Sequence, residues 1–211
     1  VEVVTGGAQA SDPLPMVVAI HGLGDKPSAF VDLFRALPAK VRVVAPAGPS
    51  PHGPGFSWFD VRGASNPDSL APGIAKAADA LAAWIAQLAA QRPTVGKPVV
   101  TGFSQGGMLS FALAIRHPQL IAAAIPVAGA LPKALWPESA VASQLPAITA
   151  LHGAADTRVP YDGAKLLVAH LETLGWAAKL QSFEGVAHRI PEPVRAALYA
   201  AIEAHTAGLA K

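Results

Sequence analysis

No cysteine occurs in this chain, and charged residues are few. The first absence removes disulfides, thiol nucleophiles and thiolate metal sites together. It leaves the compartment open, because a chain without cysteine folds on either side of a membrane. Charged residues make up 14% of the 211, against 52% hydrophobic, so the chain has apolar surface to bury and is no disordered segment. The formal charge is only +2. Its Lys and Arg are scattered, and nothing forms the basic face that binding nucleic acid demands. Long hydrophobic runs are missing too. A spanning helix needs ~20 apolar residues, whereas the stretch 120–131 is shorter and is interrupted by Pro126 and Gly129. We therefore expect no stable membrane insertion. No His-Glu-x-x-His or other metal-ligand spacing occurs, so neither metal nor cofactor is expected. Residue 1 is Val rather than Met. A cytoplasmic location is the first expectation, with export after loss of a signal peptide left open.

What is present alternates. Short β-like runs at 16–21, 41–45, 98–103, 122–127, 147–151 and 177–183 read as strands. Several are continuously apolar, as strands covered on both faces are. Longer segments at 29–37, 70–91, 105–116, 162–174 and 192–207 read as helices. In the longest, Ile74, Ala78, Leu81, Ile85 and Leu88 recur at helical spacing and define one buried face. Alternating strands and helices predict a mostly parallel central sheet with helices on both faces, in one domain over 1–211. In such sheets, sites collect beyond the carboxyl ends of the strands.

Polar residues of interest fall there. Gly102-Phe103-Ser104-Gln105-Gly106-Gly107 reads Gly-x-Ser-x-Gly between a strand and a helix. A sharp turn exposes a serine hydroxyl, and the glycines permit backbone approaches that a Cβ would block. The amide of Gln105 then lies at a helix N-terminus, where it can stabilise an oxyanion. A bland alternative exists, in which Ser104 simply caps the helix. Downstream, Asp156 and His188 each follow a strand, giving the chain order Ser, Asp, His. In that reading His188 takes the hydroxyl proton of Ser104, and Asp156 holds the imidazole in the right tautomer. Competing residues have ordinary explanations. Asp25 and Asp162 read as helix caps, His152 as a structural hydrogen bonder, and His117, His170 and His205 as surface residues. His21-Gly22-Leu23-Gly24-Asp25 after the first strand offers the amide of Leu23 as a second oxyanion donor.

These segments, with His152-Gly153-x-x-Asp156-x-x-Val159-Pro160 and Gly185-x-x-His188, resemble the phospholipase/carboxylesterase family of α/β-hydrolases. That family includes acyl-protein thioesterases and small bacterial carboxylesterases. Pro46 and Ser57-Trp58-Phe59-Asp60 match its strand-end proline and Trp-Phe-Asp loop. The resemblance implies an α/β-hydrolase fold and a metal-free serine hydrolase acting on carboxylic esters, lysophospholipids or acyl thioesters. Two departures stand on the substrate side: Lys26-Pro27 replaces a small residue and Gly, and the loop 48–55 is rich in Pro and Gly.

The resulting expectation is a carboxylesterase of short- to medium-chain esters, with a small-molecule ester as its partner, working as monomer or homodimer. An acyl-protein thioesterase or lysophospholipase is the nearest alternative, and a non-catalytic ligand-binding homologue the distant one. The segment 128–146 is too short for a large mobile lid, so minimal or no lid is expected. Leu131 and Trp136 are candidates for one wall of the substrate groove, with Phe56, Trp58 and Phe59 for the other.

Overall fold

A computed structural model describes residues 1–62, 66–139, 144–207 and 209. The strands are β1 (Glu2–Val4), β2 (Met16–Ile20), β3 (Arg42–Val44), β4 (Ser50–His52), β5 (Gly55–Ser57), β6 (Val99–Phe103), β7 (Ala123–Val127), β8 (Ala147–Gly153) and β9 (Ala178–Phe183). The helices are α1 (Pro27–Phe30), α2 (Ala71–Gln91), α3 (Gln105–Arg116), α4 (Tyr161–Thr173) and α5 (Glu192–Thr206). One sheet runs in the order β1-β3-β2-β6-β7-β8-β9, and β4 pairs with β5 in a separate hairpin. Within the large sheet only β1 runs antiparallel to its neighbour.

Side-chain alternation sorts the core onto the two faces of this sheet. Met16, Val18 and Ile20 of β2 belong to the core layer that also holds Ile74 of α2, Leu109 of α3 and Leu167 of α4. Val17 and Ala19 meet the opposite layer, where Phe30, Phe34, Val194 and Leu198 pack. All five residues of β2 are buried, as a central parallel strand requires. Because β2, β6, β7, β8 and β9 run parallel, the loops after them emerge at one edge of the sheet. Those loops carry His21 to Asp25, Ser104, Asp156 and His188.

Three expectations need correction. The helix expected at 29–37 is one α-turn, α1, followed by a 3₁₀ turn at Val31–Phe34. Pro38 disfavours helical geometry at Leu37, and the segment tightens to set Phe30 edge-on against Phe34. Asp25 does not cap α1. Its Oδ1 accepts from the Lys26 amide at 2.7 Å, and Lys26 holds the cap position. Asp162 does not cap α4 either, because Pro160 precedes that helix and Asp162 lies inside its first turn. There its charge suits the positive end of the helix dipole. Between β7 and β8 the described residues form only a 3₁₀ turn, Lys133–Leu135, while 140–143 of that segment lie outside the described residues.

The edge strand β1 was not expected. It is three residues long, below the length at which alternation becomes readable. Backbone pairing with β3 and the contact of Glu2 with Arg42 and Arg92 hold it in place. Burial alone would push the Glu2 carboxyl upward, but the two guanidiniums outweigh it and hold the group below its ordinary value. A depressed folded-state value stabilises the fold above the unfolded carboxylate range, and that stability is lost as pH falls through the depressed value. Glu2→Gln should therefore cost about 1–3 kcal/mol at neutral pH, with little difference from wild type in acid. Denaturant unfolding at both pH values checks this, and a deficit that persists unchanged in acid contradicts it.

Candidate active site

The turn between β6 and α3 is built on backbone contact. A Cβ on Gly106 would lie 1.8 Å from the carbonyl oxygen of Ile20, and one on Gly102 would lie 2.6 Å from the same atom. Only glycine lets α3 start this close to β2. Ser104 sits between them at φ 58° and ψ −113°, a backbone geometry disfavoured for any residue with a side chain. Such a residue stores about 1–3 kcal/mol of strain that the surrounding packing must hold. Its amide donates to Val127 O at 3.0 Å. Although Ser104 occupies the cap position of α3, its hydroxyl makes no capping bond. The bland alternative for Ser104 therefore fails.

The hydroxyl instead meets His188. Oγ lies 2.9 Å from His188 Nε2, and His188 Nδ1 lies 2.7 Å from Asp156 Oδ2. A carboxylate only accepts, so Nδ1 carries the proton and Nε2 turns its lone pair toward Ser104. The other oxygen of Asp156 accepts from the amides of Arg158 and Val159, at 2.9 and 3.0 Å. The Asp156 side chain is fully shielded from solvent. Phe103 packs against the His188 ring at 4.6 Å between centroids and limits its tilt.

Two further histidines fix loops. His152 is buried, and its Nε2 donates to Val159 O at 2.8 Å. Burial pushes its pKa below the ordinary value, against the hydrogen bond to Val159, so the ring is neutral. Its approach of 3.5 Å to Asp156 is therefore no ion pair. His21 is held in the same way. Nδ1 donates to Gly22 O at 2.7 Å and Nε2 accepts from the Gly48 amide at 3.1 Å, and burial lowers its pKa.

Leu23 and Gln105 line the Ser104 cleft together with Gly22, Phe59, Met108 and Val159. The loop carrying Leu23 abuts the nucleophile, since a Cβ on Gly22 would lie 3.5 Å from the Cβ of Ser104. Among the described residues neither the Leu23 nor the Gln105 amide donates a backbone hydrogen bond. The hairpin β4–β5 buttresses this loop from behind: the Gly24 amide donates to Phe56 O and the Phe56 amide to Asp25 O, at 2.8 and 3.0 Å. Its turn residues Gly53 and Pro54 had read as plain loop, because Pro51 and Pro54 hide the strand signal. The Gln105 side chain clamps the next stretch. Its Oε1 accepts from the Trp58 amide at 3.0 Å, and its Nε2 donates to Phe59 O at 2.9 Å.

The expected substrate walls are redistributed. Phe59 lines the cleft. Leu131 lines an adjoining side pocket of about 420 Å³. Phe56, Trp58 and Trp136 line neither. Phe56 is used through its backbone by the hairpin contact. Trp58 is buried, and its indole N–H donates to His21 O at 2.9 Å. The Trp136 N–H donates to Leu131 O at 3.0 Å while the ring packs on His170. A buried indole needs such a partner, which commits it to the scaffold. Sequence reasoning missed Leu70, Met108 and Arg158, which line both the cleft and the side pocket. They lie on separate elements, and no local pattern links them. Of the other histidines, His117 contacts Asp79 and His170 contacts Pro137 O, and neither lines the cleft.

A mostly parallel sheet with a strained serine at a strand-to-helix turn, and Asp and His on later strand ends, defines an α/β-hydrolase. The Phospholipase/Carboxylesterase family matches residues 2–206, and the chain belongs to that family of serine hydrolases. Among solved structures it is similar to esterase PE8, at 25% identity and a TM-score of 0.80, covering 96% of this chain and 99% of that one. Zea mays acyl-protein thioesterase 2 shares the fold at 22% identity and a TM-score of 0.76, covering 97% of this chain and 98% of that one. The Bacillus cereus carboxylesterase shares it at 14% identity and 0.75, covering 97% and 93%.

Gln105→Ala tests the clamp. It strands the buried Trp58 amide, at about 1–3 kcal/mol for a group left unpaired, while the Phe59 carbonyl keeps the Ser57 hydroxyl as its donor at 2.7 Å. We expect a lower unfolding midpoint in denaturant together with reduced kcat. Wild-type stability in this variant would show that the 57–59 loop is held by other means.

Proposed function

We propose that this chain is a carboxylesterase of short- to medium-chain esters, working as a single catalytic domain through an acyl-serine intermediate. The observation that carries the reading is the unbroken relay Ser104 Oγ, His188 Nε2, His188 Nδ1, Asp156 Oδ2, with links of 2.9 and 2.7 Å. Ser104 Oγ attacks the ester carbonyl as its proton passes to His188 Nε2. Asp156 stabilises the imidazolium without taking the proton. Charge develops on the carbonyl oxygen, where the Leu23 and Gln105 amides supply the oxyanion hole. His188 returns the proton to the departing alkoxide. Water then repeats the sequence on the acyl-serine and frees the acid.

The apolar side pocket beside the cleft supports a substrate with a modest acyl chain. Pro67, Leu131, Pro132 and Pro160 wall it with Met108 and Val159. It would hold the same chain presented as a thioester, so ester and thioester differ only in the leaving group. A panel of ethyl esters of increasing acyl length, run beside thioesters of equal length, fixes both preferences. A rate that rises without limit toward long chains would overturn the short- to medium-chain assignment.

Ser104→Ala should lower kcat by roughly 10⁴–10⁶-fold while the protein stays folded. A serine-directed phosphonate should label Ser104, and a stable adduct mapped to Ser110 instead would refute the assignment.

Asp156→Asn should cost about 10⁴-fold in kcat, because an amide facing Nδ1 favours the wrong tautomer. Asp162→Asn should cost far less. Measuring kcat of both variants checks the order, and a greater loss in Asp162→Asn would show that Asp156 is not the acid of the relay.

A further inference from the structure

The side pocket joins the Ser104 cleft through a collar common to both, made of Leu70, Met108, Arg158 and Val159. Three of these residues are apolar and the fourth is a cation. Arg158 is solvent-exposed, and among the described residues its guanidinium makes no ion pair. Arg35, Arg42, Arg62, Arg92 and Arg116 each hold a carboxylate, whereas among the described residues Arg158, Arg189 and Arg195 do not, and of these three Arg158 is the one that lines the cleft. No acid on the cleft wall is placed to satisfy it. Asp156 turns its carboxylate inward to His188 and to two backbone amides. Asp25 belongs to the loop after β2, and β2 lies three strands from β8, about 14 Å at ordinary strand spacing. Asp162 follows four residues later but is not within ion-pair distance.

The root of Arg158 is nevertheless fixed. Its own amide donates to Asp156 Oδ1 at 2.9 Å, so the Cα is tied to the carboxylate that orients His188. The chain thus presents an unpaired guanidinium, registered to the reacting group, at the entrance to the apolar pocket. A guanidinium matches the planar fork of a carboxylate or the oxygens of a phosphate.

We propose that Arg158 is a specificity residue, selecting esters that carry an anionic group close to the scissile bond over neutral esters of the same size. This rests on the reading of Ser104 as nucleophile. The apolar part of the acyl chain enters the side pocket, and the anion stays at its mouth against Arg158. Since the guanidinium is exposed, its effect is limited by solvent and salt.

The test compares three esters of matched length: ethyl pentanoate, monoethyl propylmalonate, and the pentanoate ester of glycolic acid. The second carries its carboxylate on the acyl side, and the third on the alcohol side. In wild type at low ionic strength, at least one anionic ester should exceed the neutral one by about two- to fivefold in kcat/KM, and added salt should shrink that ratio. The arm that responds locates the anion. Arg158→Gln should remove the preference, and Arg158→Glu should invert it. A misfolded variant would lose activity on all three esters together, so the ratio within each protein is the measurement. Equal rates on all three in wild type, or a ratio unchanged in both variants, overturn the role of Arg158 and leave the esterase reading standing. No hydrolysis of any of the three overturns both.

Discussion

The close approach of α3 to the carbonyl of Ile20 is the constraint on which the rest of the site depends. With glycine at 102 and 106, the helix begins almost in contact with the end of β2. Ser104 is forced into a positive-φ conformation as a result. That geometry frees its hydroxyl from capping and turns it toward the loop that bears His188. A wider turn would let the serine relax, and it would then cap its own helix as serines at that position ordinarily do. The strain is local, while the packing that sustains it is spread over both faces of the sheet.

Around this turn the protein divides its labour between charged and neutral groups. Asp156 is the only carboxylate in the relay, and two backbone amides and one imidazole hold it. His152 and His21 stay neutral through burial and act as fixed donors and acceptors. Keeping them neutral matters. A second imidazolium beside Asp156 would compete with His188 for the same charge and weaken the stabilisation that the reaction draws on.

Much of this could be read in the sequence, and the failures have physical causes. The parallel strands and long helices announced themselves by continuous burial and by helical spacing. Ser104, Asp156 and His188 were singled out because each needs a particular place at a strand end, and the structure brings them within hydrogen-bonding distance. Substrate contacts were harder. Trp58 and Trp136 looked like groove walls because they are large and apolar. Their indole N–H groups tie them to carbonyls of His21 and Leu131, and that turns them into scaffold. Leu70, Met108 and Arg158 stand next to one another only after folding, on elements far apart in the chain. The hairpin β4–β5 escaped notice because prolines within it suppress the alternation by which strands are recognised.

That hairpin carries a consequence for how such a protein can change. Its hydrogen bonds to the loop of Leu23 run between main-chain atoms of Gly24, Asp25 and Phe56. Its exposed turn at Gly53 and Pro54 stands clear of that loop, and a Cβ on Gly53 would meet nothing within 4 Å. New side chains, even a longer tip, could be grafted there while the grip on the loop persists. The hairpin turn is in this sense a replaceable part mounted on a bracket of main-chain hydrogen bonds.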